Sequence, residues 1–341
     1  MATPKTKQLR VVAIGGGTGL STLLRGLKRY VAAPQGAQPV ADPAYKHLPC
    51  LIRDLTAVVT VTDDGGSSGR LREDLNMLPP GDVRNCMVAL SEDEHLLSRL
   101  FQHRFEQGDL GGHSFGNIFV AALSAITGDF AQAVQMSSQI LATRGRIFPS
   151  TTVNATLTAR MDDGSLVHGE TAISASKRSI AELMLQPADA GPLPETLEAI
   201  AQADLITLGP GSLYTSLICN LLVHGIPEAL AASNATRIYI CNLMTQANES
   251  LGLTASQHIE KIFDHAGARI FDYALINTAP IRAEALAQYA REGQSPIEAD
   301  LARIRALGVE PITGNFVHEG EVLRHNYDSV AETILRLALK R

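Results

Sequence analysis

The stretch Arg10-Val11-Val12-Ala13-Ile14-Gly15-Gly16-Gly17-Thr18-Gly19-Leu20-Ser21-Thr22 confines the chain to one broad kind of fold. The unbroken apolar run from Leu9 to Ile14 suits a central parallel strand, covered on both faces. Leu20, Leu23, Leu24 and Leu27 then recur at three- and four-residue spacing, the mark of a helix with one apolar face. Between the two, glycines let backbone N–H groups approach a ligand, and the helix start carries partial positive charge. Gly15, Gly16, Gly17, Thr18 and Gly19 are therefore a candidate phosphate cradle, although the same residues also make a plain strand-to-helix turn. The dinucleotide fingerprint is not met. Leu20 stands where the last glycine of G-x-G-x-x-G would fall, and Asp42, near the distance of the expected acid, sits among prolines.

The rest of the chain repeats this strand–loop–helix grammar. Strands are expected at Leu55–Thr62, Asp204–Leu208, Arg237–Leu243, Tyr273–Asn277 and Val309–Ile312. Helices are expected over Ser91–Phe105 with Leu96, Leu97 and Leu100 inward, from Gly111 to Ile126, and over Phe130–Ala142, Glu195–Ala201, Ser256–His265 and Ile281–Glu292. A last helix begins at Asp328 as its cap. A β-hairpin at 151–173 turns at Asp162-Asp163-Gly164 and returns along Leu166–Ile173. Pro34, Pro39, Pro43 and Pro49 make 31–49 a surface insertion. The alternation predicts an α/β fold, a doubly wound, mostly parallel sheet with helices on both faces and a hairpin annex, in one domain over 9–339.

Chemistry-bearing residues fall beyond the predicted strand ends, where ligands sit in open parallel sheets. After the second strand come Asp63, Asp64, Ser67, Ser68 and Arg70. Paired carboxylates there can hold Mg²⁺, act as a base, or accept hydroxyl and amide donors; an ordinary polar turn has the same composition. Asp82 is a candidate N-cap, while Arg84 and Asn85 at a helix start suggest a nearby anion. His113 and Asn117 open a further helix, His113 being an acid, base or phosphate ligand, or a capping residue. Gly209, Gly211, Ser212, Tyr214 and Thr215 form a second glycine loop, so that two loops suggest opposite walls of one anion-binding cleft. Asn242, Thr245 and Gln246 end the next strand with uncharged hydrogen-bonding groups suited to a base or sugar.

Composition narrows the partners. The chain of 341 residues carries a net charge of −6, no Trp and only 5% aromatic residues. It lacks both the basic tracks and the stacking platforms of nucleic-acid binders. Cys50, Cys86, Cys219 and Cys241 are scattered without a C-x-x-C pair, which points to a reducing compartment. With no signal peptide or membrane-length apolar run in the sequence, the expectation is a soluble cytoplasmic protein.

Six motifs come in order: Gly-Gly-Gly-Thr-Gly-Leu-Ser at 15–21, Asp-Asp-Gly-Gly-Ser-Ser-Gly-Arg-Leu-Arg at 63–72, Pro-Gly-Asp-Val-Arg-Asn at 80–85, Gly-His-Ser-Phe-Gly-Asn at 112–117, Gly-Pro-Gly-Ser-Leu-Tyr-Thr-Ser at 209–216 and Asn-Leu-Met-Thr-Gln at 242–246. The set resembles the gluconeogenesis factor (YvcK-like) family, within the wider CofD-like group of 2-phospho-L-lactate transferases. The resemblance implies a Rossmann-like three-layer fold and a cytoplasmic protein that binds a UDP-sugar, UDP-GlcNAc or UDP-glucose. It also implies a role in cell shape and wall synthesis during gluconeogenic growth, an unidentified protein partner in that regulation, and no established reaction. The transferase branch moves a phospholactyl group onto a deazaflavin with Mg²⁺. Ala247-Asn248-Glu249-Ser250 departs from the family's usual Pro-Gly-Glu-Thr, Leu253 stands where an aromatic that helps hold the nucleotide sugar commonly follows, and Cys219 replaces a frequent Pro. Two readings follow. The first is a nucleotide-sugar-binding regulator that makes no product. The second is an Mg²⁺-dependent transferase in which Asp63 or Asp64 holds the metal and Arg70 or Arg84 offsets developing charge. Homo-oligomerisation stays open in both.

Overall fold

The computed structural model describes residues 8–31, 51–92, 96–320 and 322–340. The proline-rich insertion at 31–49 lies outside the described residues, apart from Val31, which bridges to Ile52. Strand β1 (Leu9–Gly15) feeds α1 (Gly17–Lys28), whose Leu20, Leu23, Leu24 and Leu27 are all buried. Strand β2 (Ile52–Val59) pairs in parallel with β1, up to Gly15 opposite Val59. It begins and ends three residues before the predicted Leu55–Thr62. Pairing stops where β1 gives way to α1, and Thr60 N–H makes a last bond to Gly15 O at 3.0 Å.

Helix α2 (Gly66–Leu75) forms from residues expected as a loop. Tertiary contacts override the poor helix propensity of its glycines and serines: Leu71 enters the core, and Arg72 donates to the Ala155 and Thr62 carbonyls. In α3 (Gly81–Leu90) the cap is Pro80, so Asp82 is not the N-cap; it sits in the first turn, its carboxylate accepting Gly17 N–H. Helix α4 (Leu96–Gln102) is shorter than the predicted Ser91–Phe105, and Leu96 and Leu100 are exposed. Its inward anchor is Phe101, packed on Phe115 and Phe119 of α5 (Phe115–Thr127) with ring centroids 5.9 and 5.0 Å away. After α6 (Phe130–Ile140), the short β3 (Arg146–Pro149), which the sequence reading missed, joins β2.

The annex is a three-stranded antiparallel sheet: β4 (Thr156–Met161), β5 (Leu166–His168) and, beyond α7 (Glu170–Ala175), β6 (Ile180–Gln186) on the other flank of β4. The expected hairpin turn forms, but the return strand stops at His168. Its second half is α7, which rotates Ile173 into the core. Helix α8 (Pro194–Gln202) leads to β7 (Leu205–Leu208), a π-helical turn (Leu213–Ile218), α9 (Cys219–Leu221) and α10 (Ile226–Ala232). Then come β8 (Thr236–Ile240), α11 (Ala255–Ala266), β9 (Tyr273–Asn277), α12 (Ala283–Ala290), α13 (Leu301–Ala306) and β10 (Glu310–Gly314). A small hairpin, β11 (Val317–Glu319) and β12 (Leu323–His325), precedes α14 (Tyr327–Leu339). Asn326 caps α14; Asp328, expected in that role, lies in its first turn and pairs with Arg29.

Seven parallel strands form the main sheet in the order β10-β9-β8-β7-β1-β2-β3. The doubly wound α/β expectation holds. Val11 and Ala13 enter one core with α1, α3 and α14, while Val12 and Ile14 enter the other with the annex and α11, as a two-residue strand period requires. Winding reverses between β1 and β7, the topological switch point at which open α/β sheets place ligands. Among the described residues, no single helix is long and apolar enough to cross a membrane. One pair, Leu213–Leu221 and Ile226–Ala232, bent by 78°, meets the length and composition test, and Leu217, Ile218, Ile226 and Leu230 from it are core residues.

Candidate functional site

At the switch point β1 and β7 run side by side, Ile14 opposite Leu208, and each ends in a glycine loop. The two loops face each other across a cleft of about 570 Å³. Gly16–Gly19 and Thr22 line one part, Pro210–Ser212 and Ser216 another. Neither helical start has a side-chain cap from its own N-cap residue, so first-turn N–H groups look outward for partners. Glycine is required here on two counts. Gly17 has φ +58, and a Cβ on Gly19 would run into the backbone of Pro210. The loops are thus in near contact.

The end of β8 closes the third side. Gly211 N–H donates to Asn242 Oδ1 (3.4 Å), Asn242 Nδ2 to Gln246 Oε1 (3.4 Å), and Gln246 Nε2 to Ser212 Oγ (3.0 Å), holding three uncharged groups in one chain of bonds. Thr245 is pinned separately: its N–H donates to Ser295 O (2.8 Å), and its hydroxyl accepts Ser295 N–H (3.0 Å). The outer side carries Tyr289, Gln294, Leu323, Arg324 and His325. His325 Nε2 donates to Cys241 O at 3.0 Å, and burial brings its imidazole down to about 4, so it is neutral at pH 7. Among the described lining residues, Arg324 is the one side chain with a full charge. Backbone dipoles, neutral amides, an aromatic ring and a single cation suit an anionic, partly aromatic ligand.

Three carboxyl groups sit just outside this lining, two of them engaged with its helical starts. Asp82 accepts Gly17 N–H at the base of the first loop; burial, then the neighbouring charge of Asp63, raises it to about 7. Glu249 plays the same part in the second loop, accepting Tyr214 N–H (3.1 Å) and the Thr215 hydroxyl (2.8 Å). Burial raises its pKa as well. Glu170 accepts from the Thr62 hydroxyl at 3.2 Å, and burial with the charges of Asp63, Asp82 and Glu249 lifts it to about 9. At pH 7 its carboxyl is therefore protonated.

A second constellation joins the starts of α2 and α5. Asn117 Nδ2 donates to Ser67 Oγ (3.1 Å), which also shares a hydrogen bond with His113 Nδ1 (3.1 Å). Burial, then the nearby charge of Arg70, lowers the pKa of His113. Ser68 lies against Gly81. Asp63 closes its own turn by accepting Gly65 N–H (2.9 Å). Asp64 turns the other way, to Thr171 N–H (2.8 Å) and hydroxyl (2.5 Å) at the start of α7. Arg70 donates to Gly111 O (2.9 Å), and Arg84 to Asn85 Oδ1 (2.7 Å).

Of the residues singled out from sequence, Gly16, Gly17, Thr18, Gly19, Gly211, Ser212, Asn242, Thr245 and Gln246 meet in the cleft. Gly15 and Gly209 lie behind it at the strand ends. Tyr214 faces the core instead, its hydroxyl on Ile180 O (3.1 Å), and the Thr215 hydroxyl is committed to Glu249. Asp63, Ser67, Ser68, Arg84, Asn85, His113 and Asn117 belong to the neighbouring constellation, with Arg70 at its rim. Leu253 packs against the core, outside the cleft lining; the aromatic in the cleft is Tyr289. Sequence reasoning missed Tyr289, Gln294, Arg324 and His325. No glycine motif surrounds them, although the Arg-His pair within the short strand β12, just before the last helix, was a usable signal.

The sequence profile of the family described as 2-phospho-L-lactate transferase CofD matches residues 11–317. The chain belongs to the CofD family. Within it, this CofD-family chain is 48% identical over 331 residues to a gluconeogenesis factor of Halalkalibacterium halodurans, covering 96% of each. It is 43% identical over 330 residues to the gluconeogenesis factor of Bacillus subtilis, covering 96% of this chain and 98% of that one. A crystal structure of a upf0052-family member from Bacillus halodurans matches with a TM-score of 0.88 at 48% identity, over 96% of this chain and 99% of that one. The chain is thus a homologue of gluconeogenesis factors, as the six motifs implied.

Proposed function

We propose that this protein is a cytoplasmic gluconeogenesis factor that works by binding a UDP-sugar, UDP-GlcNAc or UDP-glucose, as a signal and not as a substrate to be consumed. Its bound state would be read by a protein partner that adjusts wall synthesis and cell shape during gluconeogenic growth. One observation carries the reading: two glycine-rich helical starts, neither capped by its own N-cap residue, face each other at the switch point, with a single cation, neutral amides and Tyr289 around them. The glycine loops would take the diphosphate through N–H groups and helix dipoles. Asn242, Gln246 and Gln294 offer donors and acceptors to a base or sugar, and Arg324 offers charge.

A second reading, the Mg²⁺-dependent phospho-group transferase, draws on Asp63 beside Asp82 beneath the first loop. Asp64 is committed to Thr171, and among the described residues no three His, Cys, Asp or Glu side chains are grouped to hold a metal. Asp63 and Asp64 turn to different partners and do not fit a shared ion.

Melting temperature separates the two readings. It would be measured with UDP-GlcNAc, UDP-glucose, GDP and NADH, each with and without Mg²⁺, since a ligand of the native state alone raises it by mass action. The regulator reading expects a rise with a UDP-sugar and an unchanged ligand after overnight incubation. A rise with GDP plus Mg²⁺ alone would replace it with the transferase.

A further inference from the structure

The cleft has two walls of different construction. The inner wall belongs to the main sheet, its glycine loops leaving the buried strands β1 and β7. The outer wall is α12 with the β11–β12 hairpin. Among the described residues these two strands pair only with each other, over three rungs, and α12 has no buried residue. Their apolar side chains form a small cluster around Leu243, Met244 and Leu323, apart from both main cores. An element with so little apolar burial has a low free energy of local opening.

Helix and hairpin are bound to each other. Tyr289 Oη accepts Leu323 N–H at 3.1 Å; Glu319 accepts Arg282 N–H at 2.8 Å and pairs with its guanidinium. The unit is tied to the body at its ends: His325 Nε2 to Cys241 O, Thr245 N–H to Ser295 O and Ser295 N–H back to Thr245 Oγ1 just past α12, and Phe316 N–H to Asn277 Oδ1 just before β11. Tyr289 therefore has two partners of different kinds, the hairpin through its hydroxyl and the cleft through its ring.

We infer that this outer wall is a ligand-coupled element, clamped by a ligand long enough to reach from the glycine loops to Tyr289 and Arg324, and left loose by an anion that fills the loops alone. The inference rests on the UDP-sugar reading and adds its regulation: occupancy is displayed on the surface as the order of α12, β11 and β12. Order can be communicated in this way because rigidifying one element changes what a second binding event must spend on the same element.

The test is hydrogen exchange by mass spectrometry on the full chain, free, with UDP-GlcNAc and with inorganic pyrophosphate, alongside calorimetry of both additions. Amides of α12 and β12 are expected to exchange at least about tenfold faster than those of β1 and β7 in the free protein, to slow about tenfold with UDP-GlcNAc, and to stay fast with pyrophosphate. Tyr289→Phe, which keeps the ring but removes the acceptor for Leu323 N–H, is expected to speed exchange in β12 about threefold. Calorimetric binding of UDP-GlcNAc with no slowing of the outer wall overturns the coupling and leaves the function reading standing. Absence of any heat with UDP-GlcNAc overturns the function reading and the coupling with it. Equal slowing by pyrophosphate, or free-state exchange as slow as in β1, overturns the coupling alone.

Discussion

Asp82→Asn should change how stability depends on pH, in a direction fixed by where Asp82 sits. Burial and the neighbouring Asp63 push the folded carboxyl up to about 7, against about 3.9 for aspartate in an unfolded chain. Between those values the folded protein holds a proton that the unfolded chain has released. The site's contribution is therefore fully present below about pH 4 and lost as pH rises to about 7. A displacement of roughly three pH units corresponds to about 4 kcal/mol. Asn keeps an oxygen to accept Gly17 N–H but cannot ionise. Urea unfolding at pH 5, 6, 7 and 8 would measure the difference between variant and parent, in which the effects of all other carboxylates largely cancel. The variant is expected to gain on the parent steadily across this window, by up to about 3 kcal/mol between pH 5 and pH 8. Parallel stability curves, with a gap that pH does not alter, would show that Asp82 ionises freely in the folded state and that the enclosure argued for it is wrong.

Other outcomes follow from the same geometry. Gly19→Ala places a Cβ against the Pro210 backbone and should cost about 1–3 kcal/mol in urea unfolding while abolishing the UDP-GlcNAc calorimetric signal; Gly191→Ala, with open space around it, should do neither. Arg324→Gln should leave stability within about 0.5 kcal/mol, since the side chain is exposed, yet weaken UDP-GlcNAc binding about tenfold or more through loss of a charge-assisted bond. An affinity unchanged by salt and by this substitution would remove Arg324 from the site. Leu24→Ala, at a position with no solvent exposure, should cost about 2–5 kcal/mol in urea unfolding without altering affinity in the protein that remains folded.

The layers of this fold were legible because their signals are local. An unbroken apolar strand at Leu9–Ile14 and leucines at helical spacing from Leu20 need no partner to be recognised, and Tyr273–Asn277 matched to the residue. The failures came where a tertiary contact decides. Gly66–Leu75 has poor helix propensity and becomes helical because Arg72 and Leu71 find interior partners. Leu96 and Leu100 look like an inward face, but a buried Phe101 fixes the rotation of α4 the other way. The glycine half of the cleft could be read from motif and strand end alone. The half built by Tyr289, Arg324 and His325 could not, because it depends on a two-stranded hairpin lying over the end of β8. Asp82 was visible as a candidate, though its role was mistaken: a carboxylate near a helix start is usually that helix's own cap, whereas this one serves α1.

The pairing of β1 with β7 joins Val11 to Leu205, and Arg10 N–H reaches Asp204 at a sequence separation of 194. Closing so long a loop is slow, and it must precede every contact that gives the two glycine loops their near approach. During synthesis, the first two hundred residues emerge with β1 offering one bare edge to any passing strand. A chain cut short before β7 would keep its first glycine motif intact and yet have no site, only an open sheet edge prone to pairing with its copies. Nucleotide-sugar binding would then serve as an assay of completed folding, registering only molecules in which both halves of the chain have met.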